Sequence, residues 1–241
     1  MASTSEVGHA KNVANFKLLM NNFVAIGAPY NPTNPQLQLT FLQNKYTLSF
    51  NIQKSVNDLL APYTMAVDTR EQLFKPLNKE LTKLRKAYKA TEGVTAVELE
   101  NLMTIIRKLK GEKKSKPKSQ AETPDEAETH STSQLSYDQR TNTLDALISL
   151  LQNTPNYNPN EPEYQVATYQ AKKEAMLEAT QKVAETFIPL NTARSERNKE
   201  LYLADDNLVD IAIKAKDYAA TILDTNSAQY KAIAKIKFRK R

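Results

Sequence analysis

A Tyr-Asn-Pro turn that occurs twice constrains the fold more than any other feature of this chain. "PYNPTNPQ" occupies residues 29–36, and the similar "NYNPNEPE" occupies residues 156–163. Shifting the chain against itself by 127 residues aligns the two turns, and the agreement continues on both sides of them. After a three-residue insertion in the second copy, the alignment continues towards the C-terminus. The sequence therefore predicts two tandem copies of one unit.

The matched residues include polar, charged and proline positions that chance alignment rarely supplies together. In the first copy they include Asn15, Tyr30, Lys45, Pro62, Arg70, Leu81, Lys86 and Tyr88, which match Asn142, Tyr157, Lys172, Pro189, Arg197, Leu208, Lys216 and Tyr218.

Composition and spacing predict an all-α protein. Only four glycines occur in 241 residues, which disfavours a sheet protein with many tight turns. In each copy the proline turn ends a short first helix, because the residues before Pro35 and Pro162 are pushed out of the helical region. These prolines suit the first position of the next helix.

The next helix of each copy is expected to be long and to contain a proline. Apolar residues around Pro62 and Pro189 keep a spacing of three or four without a change of phase. We expect one kinked helix of about forty residues, about 60 Å long. The alternative is a break into two helices at the proline.

Two further helices complete each predicted unit, and Thr95 with Glu98 forms a capping box for the fourth helix of the first copy. The expected architecture is two tandem antiparallel helical bundles, each built on one long Pro-kinked helix. The expected divisions are a disordered tail (1–12), a first bundle (13–110), a charged flexible linker (111–138) and a second bundle (139–241).

No motif for catalysis, cofactor binding or metal binding is found in the sequence. Cysteine is absent, which favours a reducing cytoplasmic location. His9 and His130 fall in the predicted tail and linker, and Glu6 with His9 is the only E-x-x-H pair, where a di-metal site needs two. No secretion signal or membrane-length apolar run is visible. We predict a non-enzymatic protein without cofactor or metal, and no membrane partner.

Arg70 and Arg197 are the candidate partner-binding residues. Each lies on the apolar stripe of a long helix, and the two occupy matched positions. Each guanidinium could hold an anion or a partner carboxylate. The alternative is structural: the arginine buries its stem or pairs with a carboxylate of a neighbouring helix.

Basic residues cluster after the fourth helix of each copy and give the candidate polyanion-binding residues. They are Arg107, Lys108, Lys110, Lys113, Lys114, Lys235, Lys237, Arg239, Lys240 and Arg241. The functional interpretation is non-specific binding of nucleic acid or a ribosome. The structural interpretation is that cations at a helix C-terminus interact favourably with the helix dipole.

The pattern resembles a group of uncharacterised proteins encoded in Bacteroidota genomes. The resemblance rests on Tyr157-Asn158-Pro159, on "ARSERNKELY" at 193–202 and on "YKAIAKIKFRK" at 230–240. The first copy departs from it, with "AVDTREQLFK" at 66–75. The resemblance implies a bacterial, all-helical protein and brings no known activity.

The leading functional hypothesis is a non-enzymatic helical interaction or structural protein. It would bind a macromolecular partner through its two repeated bundles, with a protein partner or self-association expected. The alternative is non-specific binding of nucleic acid or a ribosome through the basic helix ends.

Overall fold

A computed structural model of the chain describes residues 8–111 and 136–240. These two ranges contain α-helices joined by turns and no β-strand. The helices are α1 (His9–Ile26), α2 (Leu39–Phe74), α3 (Leu77–Lys89), α4 (Ala96–Lys110), α5 (Tyr137–Asn153), α6 (Val166–Asn198), α7 (Leu208–Ile222) and α8 (Ala228–Lys235). The predicted all-α class is confirmed.

The two Tyr-Asn-Pro turns have the same internal hydrogen bond. The Tyr30 hydroxyl donates to the Leu37 carbonyl at 2.9 Å, and the Tyr157 hydroxyl donates to the Tyr164 carbonyl at 2.6 Å. In both turns the residue before the second proline is extended, and that proline opens a short 3₁₀ turn ahead of the long helix. This geometry is the one that proline chemistry imposes on its neighbours.

Both long helices continue through their prolines. Pro62 lies inside α2, which has 36 residues, and Pro189 lies inside α6, which has 33 and leads directly into a π-helical turn, Lys199–Leu203. Both prolines are exposed, so water can satisfy the backbone groups that the missing hydrogen bonds leave. The prediction of one helix across each proline is confirmed, and the alternative of a break is wrong.

The chain forms two compact units, whose boundaries differ from those predicted. Unit 1 contains residues 8–63 and 186–240, and unit 2 contains residues 64–111 and 136–185. Each unit therefore combines part of the predicted first bundle (13–110) with part of the second (139–241). The predicted assignment of each bundle to one contiguous segment is corrected by this division.

The length of the two long helices explains why each unit combines segments of both predicted bundles. A helix of 36 residues is about 54 Å long at 1.5 Å per residue, much longer than the 13-residue α3 beside it. One short-helix bundle cannot cover such a helix along its whole length. The two ends of α2, and likewise of α6, therefore contribute to different cores.

In unit 1, α1 packs against α7 and α8. The α2 and α6 segments of this unit run antiparallel, since Lys45 bonds Glu200 while the Tyr63 ring lies 5.7 Å from that of Phe187. The buried core side chains include Phe16, Leu19, Phe23, Leu42, Leu208, Ile211, Ala215 and Ile233.

In unit 2, α4 packs against both α3 and α5. The apolar side chains of α3 are fully buried, namely Leu77, Leu81, Leu84 and Tyr88. It shares a core with residues from the second half of the chain, which include Leu144, Leu147, Leu151, Tyr169 and Met176.

Two of the predicted irregular segments are shorter than expected. His9 to Asn12, placed in the tail (1–12), form the first turn of α1, and Tyr137 and Asp138, placed in the linker (111–138), begin α5. Ser136 caps α5 by accepting a hydrogen bond from the Gln139 amide at 3.2 Å. Residues 1–7 and 112–135, where the rest of these predictions fall, lie outside the described residues.

Candidate functional site

A groove on unit 1 is the strongest candidate for a binding site. It lies between α1 and the first half of α2 and has a volume of about 450 Å³. Its lining residues follow helical spacing along the two helices: Ala10, Val13, Ala14 and Lys17 on α1, and Tyr46, Phe50, Gln53, Lys54 and Asn57 on α2. Small residues on α1 face aromatic residues on α2, which leaves room between the helices.

Apolar side chains of the groove remain in contact with solvent. The Phe50 side chain is 47 % exposed, although its ring packs 5.9 Å from the Tyr46 ring. Val13 at the base is buried, and the neighbouring Phe16 belongs to the core of unit 1. The groove is therefore an apolar surface on a rigid support.

The charge of the groove is positive. Lys17 and Lys54 line it, and no carboxylate occurs among its lining residues. The Lys17 ammonium lies 5.4 Å from the centre of the Tyr46 ring, a cation–π contact. Lys54 is paired at 2.5 Å with Asp58, one turn further along α2. An apolar ligand with acidic groups would complement this surface.

Arg70 contributes to the packing of unit 2. Its guanidinium carbon lies 3.8 Å from the centre of the Tyr137 ring, and its buried Nε makes no hydrogen bond within the described residues. The same cluster contains Phe74, whose ring meets Tyr137 edge to face, and Arg140, 5.2 Å from the Phe74 ring. Burial lowers the pKa of the Arg140 guanidinium. This arrangement agrees with the structural alternative for Arg70, whose partner-binding role stays a prediction.

Arg197, the matched arginine, has different neighbours in unit 1. Its Nε and Nη2 donate to the Asn198 side-chain oxygen at 3.3 and 3.0 Å. Glu200, three residues further along the chain, accepts a hydrogen bond from Lys45. The structure thus gives the two arginines unlike surroundings, and a shared role in binding stays a prediction.

Arg107, Lys108 and Lys110, predicted to follow the fourth helix, lie in the last turn of α4 and are partly engaged by the protein itself. Arg107 pairs with Glu100 at 2.6 Å, Lys110 donates to the Thr82 hydroxyl at 2.9 Å, and Lys108 is exposed. Lys113 and Lys114 lie outside the described residues, so nothing is added to the prediction for them.

The basic residues near the end of the described chain begin with Lys235, the last residue of α8, and continue on a non-helical segment that is fixed to α1. The Asn12 side chain donates to the Arg239 carbonyl at 2.9 Å and accepts from the Arg239 amide at 3.2 Å. Asn15 donates to the Lys237 carbonyl at 2.7 Å. Ile236 is buried and Phe238 half-buried, whereas Lys235, Lys237 and Arg239 are exposed.

Two further lysines complete this region. Lys240 pairs with Asp210 at 2.5 Å and, together with Asn207, lowers the pKa of that carboxyl. Lys216 donates to the Ile236 carbonyl at 2.6 Å, and burial lowers the pKa of its ammonium. Arg241 lies outside the described residues.

The residue that sequence reasoning missed is Lys45, which was recognised only as a matched position. Its side chain is 4 % exposed and lies 3.2 Å from Glu200 and 3.1 Å from Asp206. Ser49 also donates to Glu200, at 2.9 Å. Lys172, its match, pairs with Glu80 in unit 2. The match between Lys45 and Lys172 could have indicated this role, because a lysine that recurs near an apolar stripe favours a nearby carboxylate partner in each copy.

His9 is not in a disordered tail, contrary to the prediction. Its Nδ1 lies 3.0 Å from the Tyr202 hydroxyl, which also accepts from Asn12 at 3.3 Å. His130 lies outside the described residues. Residues 8–111 and 136–240 contain no group of three or more histidine, aspartate or glutamate side chains able to hold a metal ion.

No protein family, characterised protein or solved structure matches the chain in sequence or structure comparisons. The resemblance to Bacteroidota proteins therefore stays a prediction. Among the described helices, none combines the length and the apolar character that crossing a bilayer requires.

Proposed function

We propose that this protein is a non-enzymatic binding protein whose partner is a protein that inserts an amphipathic helix into the groove of unit 1. The observation that carries the proposal is the groove itself, in which Tyr46 and Phe50 face Ala10 and Ala14 across an open space. Helix-in-groove recognition uses apolar anchors at helical spacing against such a surface.

The chemistry of the groove specifies the helix. Its apolar lining accommodates leucine-sized anchors, and Lys17 and Lys54 favour glutamate or aspartate along the edges of the incoming helix. The expected ligand is therefore an acidic amphipathic segment. An apolar but basic helix would meet two lysines and bind more weakly.

The proposal concentrates binding in unit 1, whereas the sequence predicts two repeated surfaces. In unit 2, Lys173 and Leu177 occupy the positions that match Tyr46 and Phe50, and Arg140 occupies the position of Val13. Lys173 is paired at 2.8 Å with Asp145. The aromatic pair and the small facing residues are thus particular to unit 1.

A labelled model helix tests the proposal. The probe is a fluorescent peptide of about 18 residues, five helical turns, with leucine on one face and glutamate on its flanks. Its control carries lysine in place of glutamate. Fluorescence anisotropy should show that Phe50→Glu weakens binding of the acidic peptide about tenfold or more, as expected for loss of an anchor pocket.

The matched substitution Leu177→Glu provides the control, since Leu177 is 42 % exposed and lies in unit 2. It should leave binding unchanged. Equal binding by the wild type and the Phe50→Glu variant, or preference for the lysine-flanked peptide, would contradict the proposal.

A second function, polyanion binding, is favoured by the extended basic segment at the C-terminus. Lys237 and Arg239 project to solvent from a backbone held on α1, and Lys235, the last residue of α8, is also exposed. Such a row of cations can contact successive phosphates without reading sequence. Duplex DNA at several salt concentrations is the probe, and neutralising all three residues to Gln should reduce both affinity and the dependence of affinity on salt. Binding that is insensitive to salt would exclude this function.

A further inference from the structure

The contacts inside each unit join the first half of the chain, residues 8–111, to the second half, residues 136–240. In unit 1, the first half supplies α1 and the first part of α2, and the second half supplies α7, α8 and the end of α6. In unit 2, the first half supplies α3 and α4, and the second half supplies α5 and the start of α6. Neither core is complete within one half.

The contacts between the halves are reciprocal. The Tyr30 ring meets Tyr218 edge to face at 5.4 Å in unit 1, and the Tyr157 ring lies 5.7 Å from Tyr88 in unit 2. Since Tyr30 matches Tyr157 and Tyr218 matches Tyr88 in the sequence alignment, each half presents a similar surface to the other. This is the relationship that equivalent residues have in a two-fold dimer.

Polar contacts also join the two halves in both units. Lys45 of the first half pairs with Glu200 of the second, and Lys172 of the second half pairs with Glu80 of the first. Tyr88 also bonds Thr154 at 2.9 Å in a buried position. Both sets of contacts are of the kind that specify partners in permanent protein complexes.

We propose that the two halves bind each other as separate chains do, so that the surface of each half is a protein–protein interface whose partner is the other half. The covalent connection through residues 112–135 then raises the effective concentration of the halves and is dispensable for the fold. This inference is independent of the proposed function, because it concerns the interior of each unit and not the groove.

The test cuts the folded full-length chain. A specific protease site, flanked by glycine and serine, is inserted between Ser119 and Gln120, and complete cleavage is checked on a denaturing gel. The cut protein should elute as one species with the mass of the intact chain and keep its helical circular dichroism. Mixing isotopically light and heavy cut protein should produce mixed pairs, visible by native mass spectrometry.

Chemical denaturation separates this inference from its rival, two independently folded tandem bundles. For two associating halves, the denaturation midpoint of the cut protein rises with protein concentration, by mass action. The same chain left uncut should show no such dependence. Fragments that elute separately, a midpoint that does not change with concentration, or loss of helical signal on cutting would each overturn the inference.

Discussion

The end of α4 and the end of the described chain show how similar residues adopt different structures in the two units. The alignment matches "IRKLK" at 106–110 with "IKFRK" at 236–240. The first segment is helical and buries Ile106 and Leu109 at a spacing of three. The second is extended and turns Ile236 and Phe238 inward at a spacing of two. Both alternate apolar and basic residues, but with different periods.

The neighbouring helix explains the difference. In unit 1, Asn12 and Asn15 of α1 satisfy the backbone of Arg239 and Lys237, which replaces hydrogen bonds that a helix would make. In unit 2, Gln139 on α5 matches Asn12 and is exposed, while α4 continues to Lys110 and ends at a left-handed Gly111. Asn15 is matched by an identical residue, Asn142, so the difference between the two neighbouring helices lies at Asn12.

The matched lysines differ in a similar way. Lys45 is almost fully buried with Glu200, whereas the side chains of Lys172 and Glu80 are 22 % and 33 % exposed. Water can replace a lost partner at the second site more readily than at the first. The two units therefore depend to different extents on the ion pairs that their matched lysines make.

Replacing Lys45 with methionine should have the largest effect of the substitutions considered. Glu200 would be left buried and without its ammonium partner, at a cost of about 3–5 kcal/mol in the free energy of unfolding. Lys172→Met, the matched control, should cost about 1 kcal/mol because its pair is partly hydrated. Urea denaturation followed by circular dichroism measures both, and equal losses would show that burial does not distinguish the two pairs.

Asn12→Ala should release the C-terminal segment from α1. Three hydrogen bonds of Asn12 are lost, two of them to Arg239, and the expected cost is about 1–3 kcal/mol. Hydrogen exchange should become faster at residues 237–240. Gln139→Ala, at the matched position of α5, should change stability by less than about 0.5 kcal/mol. Unchanged exchange in the Asn12→Ala variant would mean that the segment is held by its apolar side chains alone.

Removing the tyrosine hydroxyls tests whether the two turns are energetically equivalent. Tyr30→Phe and Tyr157→Phe each delete one hydrogen bond to a carbonyl within the turn. Each should cost about 0.5–1.5 kcal/mol in thermal or chemical denaturation. The two losses should agree within error, and a large difference would show that the shared turn geometry has unlike roles in the two units.

Raising the pH should have the smallest effect on the free energy of unfolding, and it should act on both Tyr-Asn-Pro turns. Burial raises the pKa of both Tyr30 and Tyr157 above the ordinary value. The folded state therefore keeps these protons while the unfolded state loses them. Stability from this source is complete well below pH 10 and declines as pH rises through that value, with a loss near pH 10 of about 0.4 kcal/mol per tyrosine. Denaturation at pH 8 to 10.5 measures the slope, which should be shallower in the Tyr30→Phe variant.

Local features of the fold were predictable because they depend on nearby residues. The capping box of α4 is present, with the Glu98 amide donating to Thr95 Oγ1 at 3.2 Å and Thr95 N–H donating to Glu98 at 2.7 Å. The proline turns and the long helices follow from backbone chemistry in the same way. Each of these features depends only on residues that are close together in the sequence.

The sequence does not predict that helices from both halves of the chain combine in each unit. Because Leu81 matches Leu208 and Tyr88 matches Tyr218, α3 and α7 have similar apolar stripes, and either could complete the core around α1. Periodicity predicts which face of a helix is buried and does not identify the helix that covers it. The groove was missed for a related reason, since Phe50 belongs to an apolar pattern whose burial depends on distant neighbours.

The pairing of Asn12 with Arg239 also determines the order in which the chain can fold during synthesis. These residues are separated by 227 positions, so α1 leaves the ribosome long before its partners exist. All residues of unit 2 precede Thr186, and this unit can close while the rest is still being made. Unit 1 contains both the earliest and the latest described residues. Its first helix must therefore stay unaggregated until α7 and α8, the helices that pack against it, have been made.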